Sequence, residues 1–194
     1  MPKNTDFPRL VSLACHDLRT PLATAGGFAR TLTRMGELED PTSHYVAIIE
    51  EATAQMAELL DELALAARIE GDRYEPIIAQ ADSLELAREA QQRLGADRVG
   101  VEGRGGTVRV DVGPTERAVS ALAQCALRHG GLDHVTVVAD GAEITVTPIT
   151  PASAPVVLGD DLRDLGAGVA GRLIRALGGS LALDGETLRI TLPS

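Results

Sequence analysis

Aromatic side chains are nearly missing from this chain: two Phe, two Tyr and no Trp among 194 residues. Single-stranded nucleic acid is held largely by stacking bases on exposed rings, so a stacking platform is excluded. Basic charge is also short, with 18 Lys and Arg against 28 Asp and Glu and a formal net charge of −10. A surface of that sign repels phosphate backbones and anionic bilayers, and neither nucleic acid nor membrane is expected as a partner. Lys3 is the single lysine, and cysteine occurs only at Cys15 and Cys125. Two cysteines are too few for a disulfide framework and lack metal-ligand spacing. No apolar run approaches the ~20 residues that span a bilayer, and the opening MPKNTDFPRL lacks the apolar core of a secretory leader. A cytoplasmic protein with reduced thiols is the expectation.

What is present is an ordinary globular mixture, 44% apolar and 24% charged, which excludes wholesale disorder. The chain divides by pattern into residues 1–70 and 76–194. In the first part Val11, Cys15, Leu18, Leu22, Ala25, Ala29 and Leu32 follow alternating steps of 4 and 3, a heptad seam. Glu37, Glu39 and Asp40 then mark a solvated turn, and a second helix is expected to be capped near Asp40 or Thr42. Its seam runs through Tyr45, Ile49, Ala52, Met56, Leu59, Leu63 and Ala66 and stops before Gly71. Two such helices make a hairpin, which cannot enclose a core alone. Leu13, Phe28, Ile48, Leu60 and Leu65 widen the apolar stripe beyond a two-stranded seam, so pairing of two copies into a homodimeric four-helix bundle is expected.

From residue 76 the pattern is mixed. β-rich runs at 74–79, 99–101, 107–112, 134–139, 143–148, 180–183 and 187–191 alternate with helical patterns at 83–94, 114–129 and about 162–177. Glycine pairs mark the turns, and each helix except the last is expected to return to a β-hairpin. The fold class is α+β, with helices on one face of a mixed sheet. Gly103-Arg104-Gly105-Gly106 reads as a hairpin turn. Gly166-Ala-Gly168-Val-Ala-Gly171 matches a dinucleotide fingerprint in form, but only ~20 residues follow it, too few for the βαβ unit such a site needs. His44 and His134 are expected at the surface, His129 at a helix C-terminus, and Cys15 as a small buried residue.

The chemistry concentrates at His16-Asp17-Leu18-Arg19-Thr20-Pro21-Leu22. His16 follows a seam residue and therefore sits on the flank of the helix. An exposed imidazole beside an acid can attack phosphorus through its free nitrogen. Pro21, costing ~3 kcal/mol inside a helix, is expected to bend it one turn below His16.

This motif, with LVSLAC before it, resembles the H-box of two-component histidine kinases, and the hairpin resembles their dimerisation and histidine-phosphotransfer domain. The resemblance implies His16 as phosphoacceptor, Asp17 as the acid that orients or deprotonates it, and Thr20 as the residue that positions water for dephosphorylation. Residues 76–194 resemble the kinases' ATP-binding (Bergerat-type) domain, with residues 118–131 as the N-box helix and 166–183 as the last glycine box. The chemical positions depart from the family. Cys125 stands where the resemblance places a magnesium-binding asparagine, and Ala121 where it places another asparagine. Residues 147–155 hold neither acid nor glycine where an Asp-x-Gly-x-Gly element is due, and the stretch to the last helix is short for a nucleotide lid. Asp160, Asp161 and Asp164 crowd the start of that helix, opposed by Arg163, and would repel a triphosphate. Cys125, Gly166 and Gly168 thus mark a degenerate nucleotide site.

The expectation is a phosphorelay protein like the dimeric histidine phosphotransferases, without sensor or membrane span. It would pass phosphate on His16 between receiver-domain aspartates. ATP and resident metal are not expected, and the receiver would supply magnesium. A receiver is expected to dock beside His16 over Arg19, Ala23, Gly26 and Gly27. Two other classes stay open: an ATP-dependent histidine kinase, and a silent dimer that sequesters a receiver or kinase.

Overall fold

Residues 6–36 and 40–194 are described by the computed structural model, and the chain divides into two units, residues 1–74 and 75–194. In the first unit, α1 (Asp6–Met35) and α2 (Thr42–Glu70) form the hairpin. α1 is rich in Ala, Leu and Arg and α2 in Ala, Leu and Glu, all strong helix formers. α1 runs through Pro21 as one helix of 30 residues. α2 starts where expected but without the expected cap. Its N-cap is Pro41, which offers no side-chain oxygen, while Asp40 accepts a hydrogen bond from the Ser43 hydroxyl at 2.7 Å. Glu37 and Glu39 lie outside the described residues.

The heptad period is present, and most of its large members stand exposed on the single hairpin. Among the described residues of the hairpin the buried ones are mostly small or slender, Cys15, Gly26 and Ala29 on α1 and Val46, Thr53, Ala64 and Ala67 on α2, with Leu65 as the one larger side chain. Of the α2 seam, Tyr45, Ile49, Met56, Leu59 and Leu63 are exposed, as are Leu18 and Leu32 on α1. Small residues let the two backbones approach, and the larger ones are left on the outside.

The second unit is an α+β sandwich. Its elements are β1 (Ile78–Asp82), α3 (Ser83–Leu94), β2 (Val99–Gly105), β3 (Thr107–Asp111), α4 (Val112–Gly130), β4 (Val135–Gly141), β5 (Glu143–Thr147), α5 (Ala154–Val157), α6 (Leu165–Ala176), β6 (Ser180–Asp184) and β7 (Thr187–Thr191). Five strands form a mixed sheet in the order β2-β4-β5-β7-β6, with β2 and β4 parallel and the other pairs antiparallel. β1 and β3 form a separate antiparallel pair. Alternation along the strands buries Val135, Val137, Ile144, Val146, Leu188 and Ile190, and the helices contribute Leu86, Leu122, Leu173 and Ile174 to the core. Cutting Leu122 to Ala would cost about 2–5 kcal/mol.

Two expected returns are reversed. β2 and β3 are not a hairpin: the first pairs with β4 and the second with β1. The last helix, conversely, does return to a hairpin, β6–β7. Residues 103–106 are therefore a corner between sheets. Gly103 has φ +104°, and a Cβ at Gly105 or Gly106 would run into Asp82 or the backbone of Gly141. Glycine is needed there because two chain segments touch. The first strand begins later than expected, past Pro76, which has no N–H to donate to a ladder.

Candidate functional site

His16 lies near the middle of α1, and its side chain is 78% exposed. Its Nδ1 is 3.2 Å from Oδ1 of Asp17. A carboxylate can only accept, so Nδ1 carries the proton and the lone pair of Nε2 faces outward, free for attack. Thr20 is one helical turn from His16 and is also exposed. On the neighbouring helix, Asp61 accepts a hydrogen bond from Arg19 at 2.7 Å. Both partners are substantially exposed, so the pair adds little stability but fixes a guanidinium below the imidazole.

Arg19, Ala23 and Gly26 line one groove of about 280 Å³ between α1 and α2, completed on the other helix by Thr53, Ala54, Ala57 and Asp61. Gly26 is where the helices touch: a Cβ there would stand 3.0 Å from the Thr53 hydroxyl. Gly27 is different, since a Cβ there would meet nothing within 4 Å. It takes no part in the close approach expected of the pair.

In the second unit, Cys125 is fully buried on α4. Burial, and then the negative charge of Asp164, push its thiol up to about 12. Asp164 is the N-cap of α6, accepting from the Ala167 amide at 3.0 Å through Oδ1. Its Oδ2 is 3.2 Å from Nε2 of His129 and 3.5 Å from the Arg128 guanidinium. α6 begins at Leu165, three residues later than expected, because Asp164 stops the helix there. Gly166 and Gly168 fall in its first turn, and Gly168 is buried. The amides that would greet a phosphate at this helix start thus include one already held by a carboxylate. Asp161 is paired with Arg163 at 2.7 Å.

His44 and His134 are exposed, the latter 3.1 Å from the Asp97 carbonyl oxygen through Nδ1, and Cys15 is buried. The grouping of Cys125, His129 and Asp164 is absent from a sequence-only reading. A Cys-x-x-x-His step, one turn on a single helix face, was its legible half. Asp164 comes from 35 residues beyond His129 and carries no local signal.

Residues 9–72 match the His Kinase A (phospho-acceptor) domain family. Over 193 aligned residues the chain is 29% identical to the histidine protein kinase DivJ of Caulobacter vibrioides, covering 90% of this chain and 32% of that protein. It therefore spans about a third of that relative's length. Among solved structures, full-length ShkA in complex with AMPPNP superposes with a TM-score of 0.67 at 19% identity, over 96% of this chain and 46% of ShkA. The Acinetobacter baumannii histidine kinase AdeS gives 0.54 at 16% identity, over 92% of this chain and 98% of that one. These likenesses extend through both units, whereas the family match is confined to the hairpin. Among the described residues, no helix is long and apolar enough to cross a membrane.

Proposed function

We propose that the chain, whose hairpin matches the phospho-acceptor domain family and whose fold follows that of histidine kinases through both units, is a histidine-kinase-type signalling protein that relays phosphate through His16 without using ATP. The observation that carries the reading is the pairing of an open imidazole with a sealed thiol. His16 is 78% exposed with Nδ1 tied to Asp17. Cys125, at the position where the family resemblance calls for a magnesium-binding asparagine, is fully buried. Magnesium is a hard cation that prefers oxygen, and a protonated thiol is a poor ligand for it.

In the proposed reaction, Nε2 attacks the phosphorus of an aspartyl phosphate on a receiver domain. The N–P bond forms as the bond to the aspartyl oxygen breaks, and the carboxylate leaves. The reverse step on a second receiver completes the relay. Transfer of this kind depends mainly on position and on charge neutralisation. Magnesium bound by the receiver supplies most of that neutralisation, and Arg19 adds a cation one turn from the ring. The groove over Arg19, Ala23 and Gly26 is the proposed docking surface. Two copies are proposed to pair through the exposed Tyr45, Ile49, Met56 and Leu59, giving the homodimer that a phospho-acceptor hairpin of this type favours.

The experiment is label transfer. A receiver carrying ³²P-aspartyl phosphate should label the wild-type chain and leave His16→Gln unlabelled, with the dimer intact in both. Label on the variant would sink the site. A second reading, ATP-dependent autophosphorylation of His16, is favoured by the similarity to ShkA, which was solved with AMPPNP. Rapid labelling from γ-³²P-ATP would establish it in place of the first. Failure of every receiver to label His16 would favour a silent binding partner.

A further inference from the structure

Three donors of different kinds converge in the second unit: the Cys125 sulfur, a His129 ring nitrogen and an Asp164 carboxylate oxygen all lie within 4.8 Å of one another. Cys125 and His129 stand one turn apart on α4, and Asp164 immediately precedes α6. Around a tetrahedral zinc ion, with bonds of about 2.0 Å to N and O and 2.3 Å to S, neighbouring ligand atoms are roughly 3.3–3.7 Å apart. The 3.2 Å between His129 Nε2 and Asp164 Oδ2 is close to that spacing.

The geometry points to a Zn²⁺ site made by Cys125, His129 and Asp164, its fourth position open to water. Thiolate, imidazole and carboxylate together suit a borderline cation and not a hard one. The carboxylate is already oriented for the task. Oδ1 is engaged by the Ala167 amide, which turns Oδ2 toward His129, and such outer bonds fix the aim of a ligand. The cluster is also sheltered, with Cys125 fully buried, the Asp164 side chain 9% exposed and that of His129 18%. Arg128, 3.5 Å from Oδ2, competes for the same oxygen. Its side chain is 61% exposed and can swing to solvent when the cation arrives. On binding, the sulfur–zinc bond replaces the S–H bond and that proton passes to the buffer, while the proton His129 shares with Asp164 moves from Nε2 to Nδ1 and frees the Nε2 lone pair for zinc. Zinc waters leave as the protein ligands enter. The ion then ties the middle of α4 to the start of α6. This site goes beyond the relay reading and does not depend on it.

The test uses the full chain, free of any oligohistidine tag, titrated with Co²⁺ as a spectroscopic substitute and then with Zn²⁺. The expected result is a near-ultraviolet sulfur-to-cobalt charge-transfer band that saturates at one equivalent and is discharged by Zn²⁺. Cys125→Ala should abolish the band. His129→Gln should weaken Zn²⁺ binding at least tenfold, and Cys15→Ala should retain both properties. Melting curves of the metal-free proteins establish that each variant is folded. Absence of the band in the wild-type chain overturns the proposal, as does a band that persists in Cys125→Ala. Zinc affinity unchanged by His129→Gln overturns it too, leaving only adventitious binding to surface carboxylates.

Discussion

His16 and Asp17 are consecutive residues of one helix, so their 3.2 Å contact needs no help from the rest of the fold. Replacing Asp17 by Ala removes the acceptor that keeps the proton on Nδ1. Acceptance of label from a phosphorylated receiver should slow on the order of 10²-fold, with no loss of helix by circular dichroism. Cys125 makes a prediction of a different kind. Its thiol holds its proton more tightly in the folded chain, at about 12 against an ordinary 9. The folded state therefore has its full share of stability below pH 9. That share is lost as the pH rises toward 12, because the unfolded thiol ionises first. Denaturant midpoints of the metal-free protein at pH 8 and pH 10.5 should fall more for the wild type than for Cys125→Ala. Equal falls would mean the thiol is not held in its neutral form.

At the scale of elements, the two glycines of α1 separate packing from propensity. Gly27→Ala meets open space, and should gain about 1 kcal/mol from the lost flexibility of the unfolded chain. At Gly26 the same methyl meets the Thr53 hydroxyl at 3.0 Å. That hydroxyl is bonded to the carbonyl oxygens of Ile49 and Glu50 at 2.8 and 2.9 Å, and a β-branched side chain has few other rotamers to adopt. Thermal melts should place Gly26→Ala below Gly27→Ala by about 1–2 kcal/mol. The helices themselves were legible, since a period of 3.5 over seven positions has no strand interpretation. The direction of the stripe was not, because Leu and Ile satisfy a seam within one hairpin and between two equally well on paper. Three-dimensional facts decide it, namely that Gly26 and Thr53 bring the helices into close contact at mid-hairpin, where no large side chain fits between them. Strand partners failed for a related reason. Gly105-Gly106 reads as a hairpin turn until Asp82 and Gly141 are known to press on it. At the site, the exposed His16 follows from its place beside Cys15 in the seam. The Asp164 contacts do not, as capping oxygens look alike in sequence whether or not a second helix ends beside them.

For the whole molecule, the outward stripe of α2 is the proposed contact between two copies. Ile49→Glu with Leu59→Glu places two carboxylates on that stripe, at positions 46% and 50% exposed in the single chain. Light scattering should then give half the wild-type mass, while the melting of the second unit, whose core is its own, stays unchanged. A dimeric mass for the double variant would move the interface elsewhere. A hairpin that turns its slender residues inward and its bulky ones outward has little to hold it together at infinite dilution. The helicity of the first unit should therefore rise with protein concentration, while that of the second does not. Abundance, ordinarily a bystander to catalysis, would then decide how many molecules own a usable imidazole at all.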